Sequence, residues 1–421
     1  MKVVCELLEN FEVSPSLTLL AGDRVPYFFD IETTDLSPVT GYCYLIGSLL
    51  KTPEGWLFRQ WFAENADEEP SVLTAFGDTL QSEQLLIHYN GATFDIPFLA
   101  ARYRFHKLTS PLPEPKDSLD LFHKLSRCKK LFELENRKQP TMEQLAGFKR
   151  TDQYDGGLLI PFYGEYVARY RFDAPRAEEL LGYLLLHNHD DILGLATLPA
   201  LIPYTRLSDI ALSDIQSTVV DGSVILSARV PYCFPKSLRK VFPMPAVPEE
   251  CVRCKSEEKD AASSATVPMD ATFSADATIA STESPEGADS TIVEQYAGNC
   301  PDTCFSMISL TDDRVRITLP LYYAAPYFFF PNYKDYYYLP LEDKAIHKSL
   351  ATFVDKAHRT PATKQTARQK HPGVFLPQLS ELIAPAFRFQ PNDELCFFEA
   401  SAIENSVPEE LLLGWLSLLT K

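Results

Sequence analysis

The segment Tyr27-Phe-Phe-Asp-Ile-Glu-Thr33 constrains the fold more than any other, because it sets two acids into an otherwise apolar, strand-forming run. Side chains alternate across a strand, so Asp30 and Glu32 point to one face of a sheet. Two carboxylates side by side on a buried sheet repel each other, and a divalent cation between them relieves the repulsion. Hard oxygen donors of this kind suit Mg²⁺ or Mn²⁺. The plainer alternative is a strand end whose acids are solvated, and an acid-apolar-acid triplet alone does not decide between the two.

Two further segments bear on that choice. Leu85-Leu-Ile87 reads as a buried strand, and Asn90-Gly91 as a turn leading into a helix. Thr93 is the expected N-cap, which puts Asp95 in the first turn, where the helix dipole favours an acid and Pro97 is tolerated. Strand ends of α/β sheets are also where ligand sites form. The third segment is a helical pattern from Pro175 to Pro199, with Leu180, Leu181, Leu184, Leu185, Ile192, Leu195 and Leu198 as its apolar stripe. His187 and Asp191 are four apart and share a helical face. Asp191 is then placed to bind a metal while His187 holds or deprotonates water, a role imidazole suits near neutral pH. The alternative is a surface His/Asp pair that merely supports the helix.

The elements expected around these motifs form an α/β domain. A strand at Tyr27 is followed by a hairpin, Cys43–Leu50 and Trp56–Phe62, turning at Thr52-Pro-Glu-Gly55, and by a helix from about Asp67. The β-β-β-α-β-α order calls for a mixed sheet covered by helices. Residues 1–23 read as a lead-in, 24–205 as this domain, and 206–250 with 298–421 as a β-rich C-terminal domain of unassigned fold. Residues 251–297, rich in Ala, Ser, Thr and acid, read as an acidic low-complexity linker.

Together the three motifs resemble the DEDD superfamily of 3′–5′ exonucleases, and most closely the stand-alone YprB-type predicted exonucleases. The likeness covers residues 24 to about 205 and includes Thr141-Met-Glu-Gln-Leu-Ala-Gly-Phe-Lys-Arg150. It implies a ribonuclease H-like fold with a mixed five-stranded sheet flanked by helices. It also implies two Mg²⁺ or Mn²⁺ ions held by Asp30, Glu32, Asp95 and Asp191, with His187 in the general-base position. Thr33 and Asn90, in the matched strings, are the implied nucleic-acid contacts. The chain departs from the pattern at one place. Tyrosine-type members carry Tyr four residues before the last Asp and histidine-type members carry His five before it, whereas here His occupies the tyrosine spacing. His189 is the alternative base. The implied activity is hydrolysis of DNA or RNA from single-stranded or 3′ ends. The rival readings are a non-catalytic nucleic-acid-binding protein and a metal-dependent endonuclease on the same fold.

A net charge of −18 runs against the basic footprint of nucleic-acid proteins, so its distribution matters more than its sum. Glu249–Glu294 holds eleven acids against three Lys/Arg, whereas Lys344–His371 holds seven Lys/Arg and three His against Asp355. That basic run follows the aromatic stretch Tyr322–Tyr338, a pairing that suits single-strand binding. Lys344, Lys348, Lys356 and Arg359 are its candidate contacts, and a β-domain core with a basic surface loop is the simpler reading. A second basic cluster comprises Lys124, Arg127, Lys129, Lys130, Arg137 and Lys138. No apolar stretch is long enough to span a membrane, and Glu6 and Glu9 break any signal-peptide core, so a cytoplasmic location is expected. Nine cysteines fit a reducing compartment. Cys251, Cys254, Cys300 and Cys304 have the makings of a zinc site, though small buried or free thiols are the commoner explanation.

Overall fold

Strand β2 (Val25–Thr33) turns Tyr27, Phe29 and Ile31 into one core and Phe28 into another. The computed structural model describes residues 1–248, 251 and 304–420, apart from 153 and 155. In it β2 pairs antiparallel with β3 (Cys43–Thr52) and parallel with β5 (Gln84–His88). Strand β3 turns into β4 (Gly55–Phe62) as an antiparallel hairpin, and β5 pairs parallel with β6 (Leu119–Asp120).

The sheet has six strands in the order β1-β4-β3-β2-β5-β6, one more than expected. The extra strand is β1 (Lys2–Leu8), which lies antiparallel along β4 and falls in the expected lead-in. Val3 and Leu7 are exposed. An edge strand held by backbone pairing buries little on either face, so its sequence lacks the alternation by which strands are read.

Phe28, Leu49, Phe58 and Ile87 line one face of the sheet, and Tyr27, Phe29, Trp61 and Leu86 the other. Helices α1 (Glu69–Gly77), α2 (Asp95–Phe105) and α4 (Leu159–Arg169) cover the second face through Val72, Phe76, Leu99 and Tyr163. Helix α3 (Gln139–Ala146) lies on the first through Met142 and Leu145. The long helix α5 (Ala174–Thr197) serves both: Leu180 and Leu184 join the second core, and Ile192 and Leu195 the first.

That first core continues into the C-terminal part. Strands β7 (Ser213–Val220), β8 (Ser223–Met244) and β9 (Cys304–Pro320) form an antiparallel sheet whose inner residues Val224, Leu226, Ile317 and Leu319 pack with Leu195 and Leu198. Helix α6 (Glu409–Leu416) closes the same core with Trp415. The aromatic stretch splits by role. Tyr322 and Tyr327 are buried with Cys251, Phe375, Phe387 and Phe397 in a small third core, while Tyr337 is only half-buried. The acidic segment that follows Cys251, with Cys254 and Cys300, lies outside the described residues. No helix among the described residues is long and apolar enough to cross a membrane.

Candidate active site

Asp30 faces Gly47 across the β2–β3 ladder, and the register shifts between Glu32 and Thr33. A bulge of this kind ends pairing and re-aims side chains. Gly47 lets helix α5 come close: a Cβ there would overlap Asn188 Oδ1 and lie 2.9 Å from Ile192 Cγ1. The fully buried Asn188 uses the space to donate to Asp30 Oδ2 at 3.2 Å, and its Oδ1 accepts from Gln60 Nε2 at 3.0 Å. Gln60 also donates to the Leu185 carbonyl at 2.8 Å. This amide relay from β4 through α5 to β2 fixes the carboxylate of Asp30.

Asp95 is the first residue of α2 and is 6% exposed. The expected Thr93 cap is not formed. Thr93 Oγ1 donates backwards to the Asn90 carbonyl at 2.9 Å, and the helix opens without a side-chain cap. Asn90 takes the left-handed φ of 63°, a conformation Asn tolerates, and its N–H donates to Asp120 Oδ1 at 2.9 Å. Asp120 also accepts from Phe122 N at 3.0 Å, which makes it the N-cap of the short helix Leu121–Lys124.

His187 and Asp191 meet on one face of α5, with His187 Nε2 3.1 Å from Asp191 Oδ2 and 3.9 Å from Glu32 Oε1. The other imidazole nitrogen, Nδ1, lies 2.5 Å from the buried Asp152. Asp152 is held in turn by Asp190, whose Oδ2 accepts from Thr151 N at 2.6 Å and Asp152 N at 2.8 Å. The second oxygen of Asp191 is engaged by Arg150, whose guanidinium also grips the buried Glu143 at 2.5 and 2.9 Å. Glu143 fits against α5 because residue 194 is Gly; a Cβ there would overlap its carboxylate.

The electrostatics follow from this crowding. Burial, then the nearby charges of Asp191, Asp95 and Glu32, push Asp30 well above the ordinary carboxylate range, and burial followed by Asp191, Asp95 and Asp152 does the same to Glu32. Burial carries Asp95 up to about 7, although the N–H groups of Ile31 and of Asp95 itself oppose the shift. Asp191 moves the other way, because His187 and Arg150 outweigh its burial. Burial alone would lower His187, but Asp191 and Asp152 bring it up to about 9. Three carboxyls are thus held where their negative charge is costly, which is the chemistry of a cation-binding set. Ligand atoms of Glu32, His187 and Asp191 lie within 4.8 Å of one another. The hydrogen bond that reaches Asp30 comes from a neutral amide. The donor set fits a divalent ion.

The structure therefore brings together Asp30, Glu32, Asp95, His187 and Asp191, from three motifs remote in sequence. His189 is elsewhere: its ring meets Phe58 edge-on at 5.1 Å, and Nδ1 lies 3.2 Å from Asp190. Thr33 follows the acid pair directly, its hydroxyl donating to the Asp35 carbonyl at 2.9 Å. Two of the four C-terminal cations share one aromatic ring. Lys348 and Arg359 stand over the Tyr337 ring at 5.9 and 4.8 Å, Lys344 pairs with Glu342, and Lys356 is exposed in a short turn. Four polar residues of the site escaped the sequence reading: Asn188, Asp152, Arg150 and Glu143. Asn188 had a usable signal, since it lies three residues before Asp191 on the same helical face. Asp152 and Arg150 lie in a loop with no periodicity to read.

Residues 27–202 match the family model RNase_H_2 of the RNase_H superfamily. The match runs from within β2 to just past α5, so this ribonuclease H-like domain contains all five clustered residues. Among solved structures, the family B DNA polymerase of Pyrobaculum calidifontis is similar over 44% of this chain and 26% of its own, at 16% identity and a TM-score of 0.32. An exonuclease I structure is similar over 49% of this chain and 55% of its own, at 14% identity and a TM-score of 0.25. The zinc-bound E. coli exonuclease I complex with single-stranded DNA is similar over 51% of this chain and 54% of its own, at 13% identity and a TM-score of 0.24. This chain thus spans only part of those proteins. Among curated proteins, none matches it at significant similarity.

Proposed function

We propose that the chain is a divalent-metal-dependent 3′–5′ exonuclease acting on DNA or RNA. The observation that carries this reading is the meeting of Asp30, Glu32, Asp95 and Asp191 from three separate motifs on a ribonuclease H-like sheet. Three of these acids, Asp30, Glu32 and Asp95, are costly to keep charged without a cation, which weighs against a purely binding role. They would hold two Mg²⁺ or Mn²⁺ ions, which when bound lower the pKa of a water and neutralise the scissile phosphate.

The protein's own residues do the rest. Asn188 holds the Asp30 carboxylate, and Arg150 holds that of Asp191. Asp152 fixes the imidazole by its Nδ1, so that Nε2 is the nitrogen turned towards the acids. While it contacts both Asp191 and Asp152, His187 keeps its proton at neutral pH, and the base role requires release of the Asp191 contact.

The test is incubation of the full chain with 5′-labelled single- and double-stranded DNA and RNA in Mg²⁺, Mn²⁺ or EDTA. The expected result is a ladder of products shortened from the 3′ end with metal and none with EDTA, and Asp30→Asn and Asp191→Asn should each abolish it. Cleavage of a circular single strand would move the assignment to an endonuclease. Full activity in either variant would remove the two-metal reading.

A further inference from the structure

Residues 124–138 form a basic patch on a strongly acidic chain, with Lys124, Arg127, Lys129, Lys130, Arg137 and Lys138 against Glu133 and Glu135. Lys240 pairs with Glu133 at 2.5 Å, which removes one of those acids from the balance. Lys124, Lys129 and Lys138 are exposed.

The fold places the Arg137–Gln139 end of this segment beside the backbone of Asp191, while Arg127 donates to the Thr205 carbonyl at 3.2 Å. Tyr89 Oη donates to the Arg137 carbonyl at 2.6 Å, and Gln139 Nε2 donates to the Asp191 carbonyl at 2.8 Å. These bonds lock residues 137–139 between the Asn90 turn and Asp191. The Arg137 guanidinium lies 4.1 Å from the Phe122 ring centre, and Tyr89 meets the same ring edge-on at 5.5 Å. Cations and aromatic faces in one strip are the chemistry of a single-strand track. In the C-terminal basic run, Glu342 takes Lys344, and Asp343 takes Arg368 at 2.8 Å and Lys370 at 3.7 Å.

We infer that the surface from Lys124 to Lys138 is the track along which the phosphodiester backbone of a single strand reaches the carboxylates. The inference rests on the nuclease reading and adds the path of its substrate. An acid cluster repels phosphate, so a polyanion has to be drawn in by cations at the rim of the site.

The test is fluorescence anisotropy of 5′-labelled single-stranded DNA and RNA with the full chain in EDTA, over a range of salt. Lys124→Gln, Lys129→Gln and Lys138→Gln combined should weaken binding by roughly tenfold or more and flatten the log–log salt slope by about 2, near 0.7 per lost phosphate contact. Lys344→Gln, Lys348→Gln, Lys356→Gln and Arg359→Gln combined should bind nearly as wild type. All seven changes are at charged side chains outside the buried cores, and thermal melting checks that both variants fold. Wild-type affinity and slope in the triple variant, or an equal or larger loss in the quadruple variant, overturns the track. If wild type hydrolyses strands while the triple variant binds normally, only the track fails. If wild type neither binds nor hydrolyses, both readings fail.

Discussion

Asp152 and His187, 35 residues apart in the chain, meet through a 2.5 Å contact between Asp152 Oδ2 and His187 Nδ1. The contact exists because Asp190, one turn after His187 on α5, accepts the N–H groups of Thr151 and Asp152 and holds the loop against the helix. One helix thus supplies the imidazole and the anchor for the acid that orients it.

Asp152→Ala should therefore slow turnover by about 10–100-fold, the usual cost of removing a partner that orients a site residue. Asp152→Asn, which keeps an acceptor oxygen, should retain more activity. Metal affinity, followed by calorimetric titration, should change far less than the single-turnover rate. Wild-type rates in Asp152→Ala would remove the orienting role.

His187→Ala should cost about 10²–10⁴-fold in turnover, the contribution expected of a general base. His189→Ala should be nearly silent, because that ring packs on Phe58 away from the acids. Rate measurements on the two variants side by side decide the matter, and the reverse pattern would transfer the base role to His189.

In EDTA the site should destabilise the fold as pH rises. Asp95 titrates at about 7 in the folded chain against roughly 4 when unfolded, so its contribution is full below about 4 and lost by about 7. Asp30 and Glu32 act in the same direction. His187, raised to about 9, stabilises fully below roughly 6.5 and loses this as pH climbs through 9. Asp191 alone runs the other way, at the acid end. Asp30→Asn should raise the metal-free melting temperature at pH 8 by on the order of a few degrees and abolish the increment given by Mg²⁺ or Mn²⁺. Calorimetric scans in EDTA and in metal that show no such difference would contradict the charge-repulsion account.

Gly47→Ala should destabilise the fold by about 1–3 kcal/mol and depress activity, although residue 47 touches no substrate. The new methyl group has to displace Asn188 or push α5 off the sheet. Adding Asn188→Ala should relieve the larger overlap, leaving that with Ile192, and recover part of the stability without restoring activity, since Asp30 then lacks its amide donor. Urea denaturation checks this, and a single variant as stable as wild type would show that the close approach is not needed.

The sequence by itself determined the strand, hairpin and helix order from Tyr27 to Pro199, because alternation and helical spacing are local properties that need no knowledge of partners. It also marked the acids Asp30, Glu32, Asp95 and Asp191 as candidates, through three motifs read together, since each acid alone has an ordinary structural explanation. Three things were decided only by the tertiary structure. Strand β1 forms by pairing its backbone with β4, which leaves no side-chain pattern. Glu342 and Asp343, two acids next to the C-terminal basic run, pair with Lys344, Arg368 and Lys370. The loop carrying Arg150 and Asp152 joins the site through contacts to residues 35 to 41 positions away. Non-local hydrogen bonds of that kind depend on how the chain closes in space, and no local spacing in the sequence encodes them.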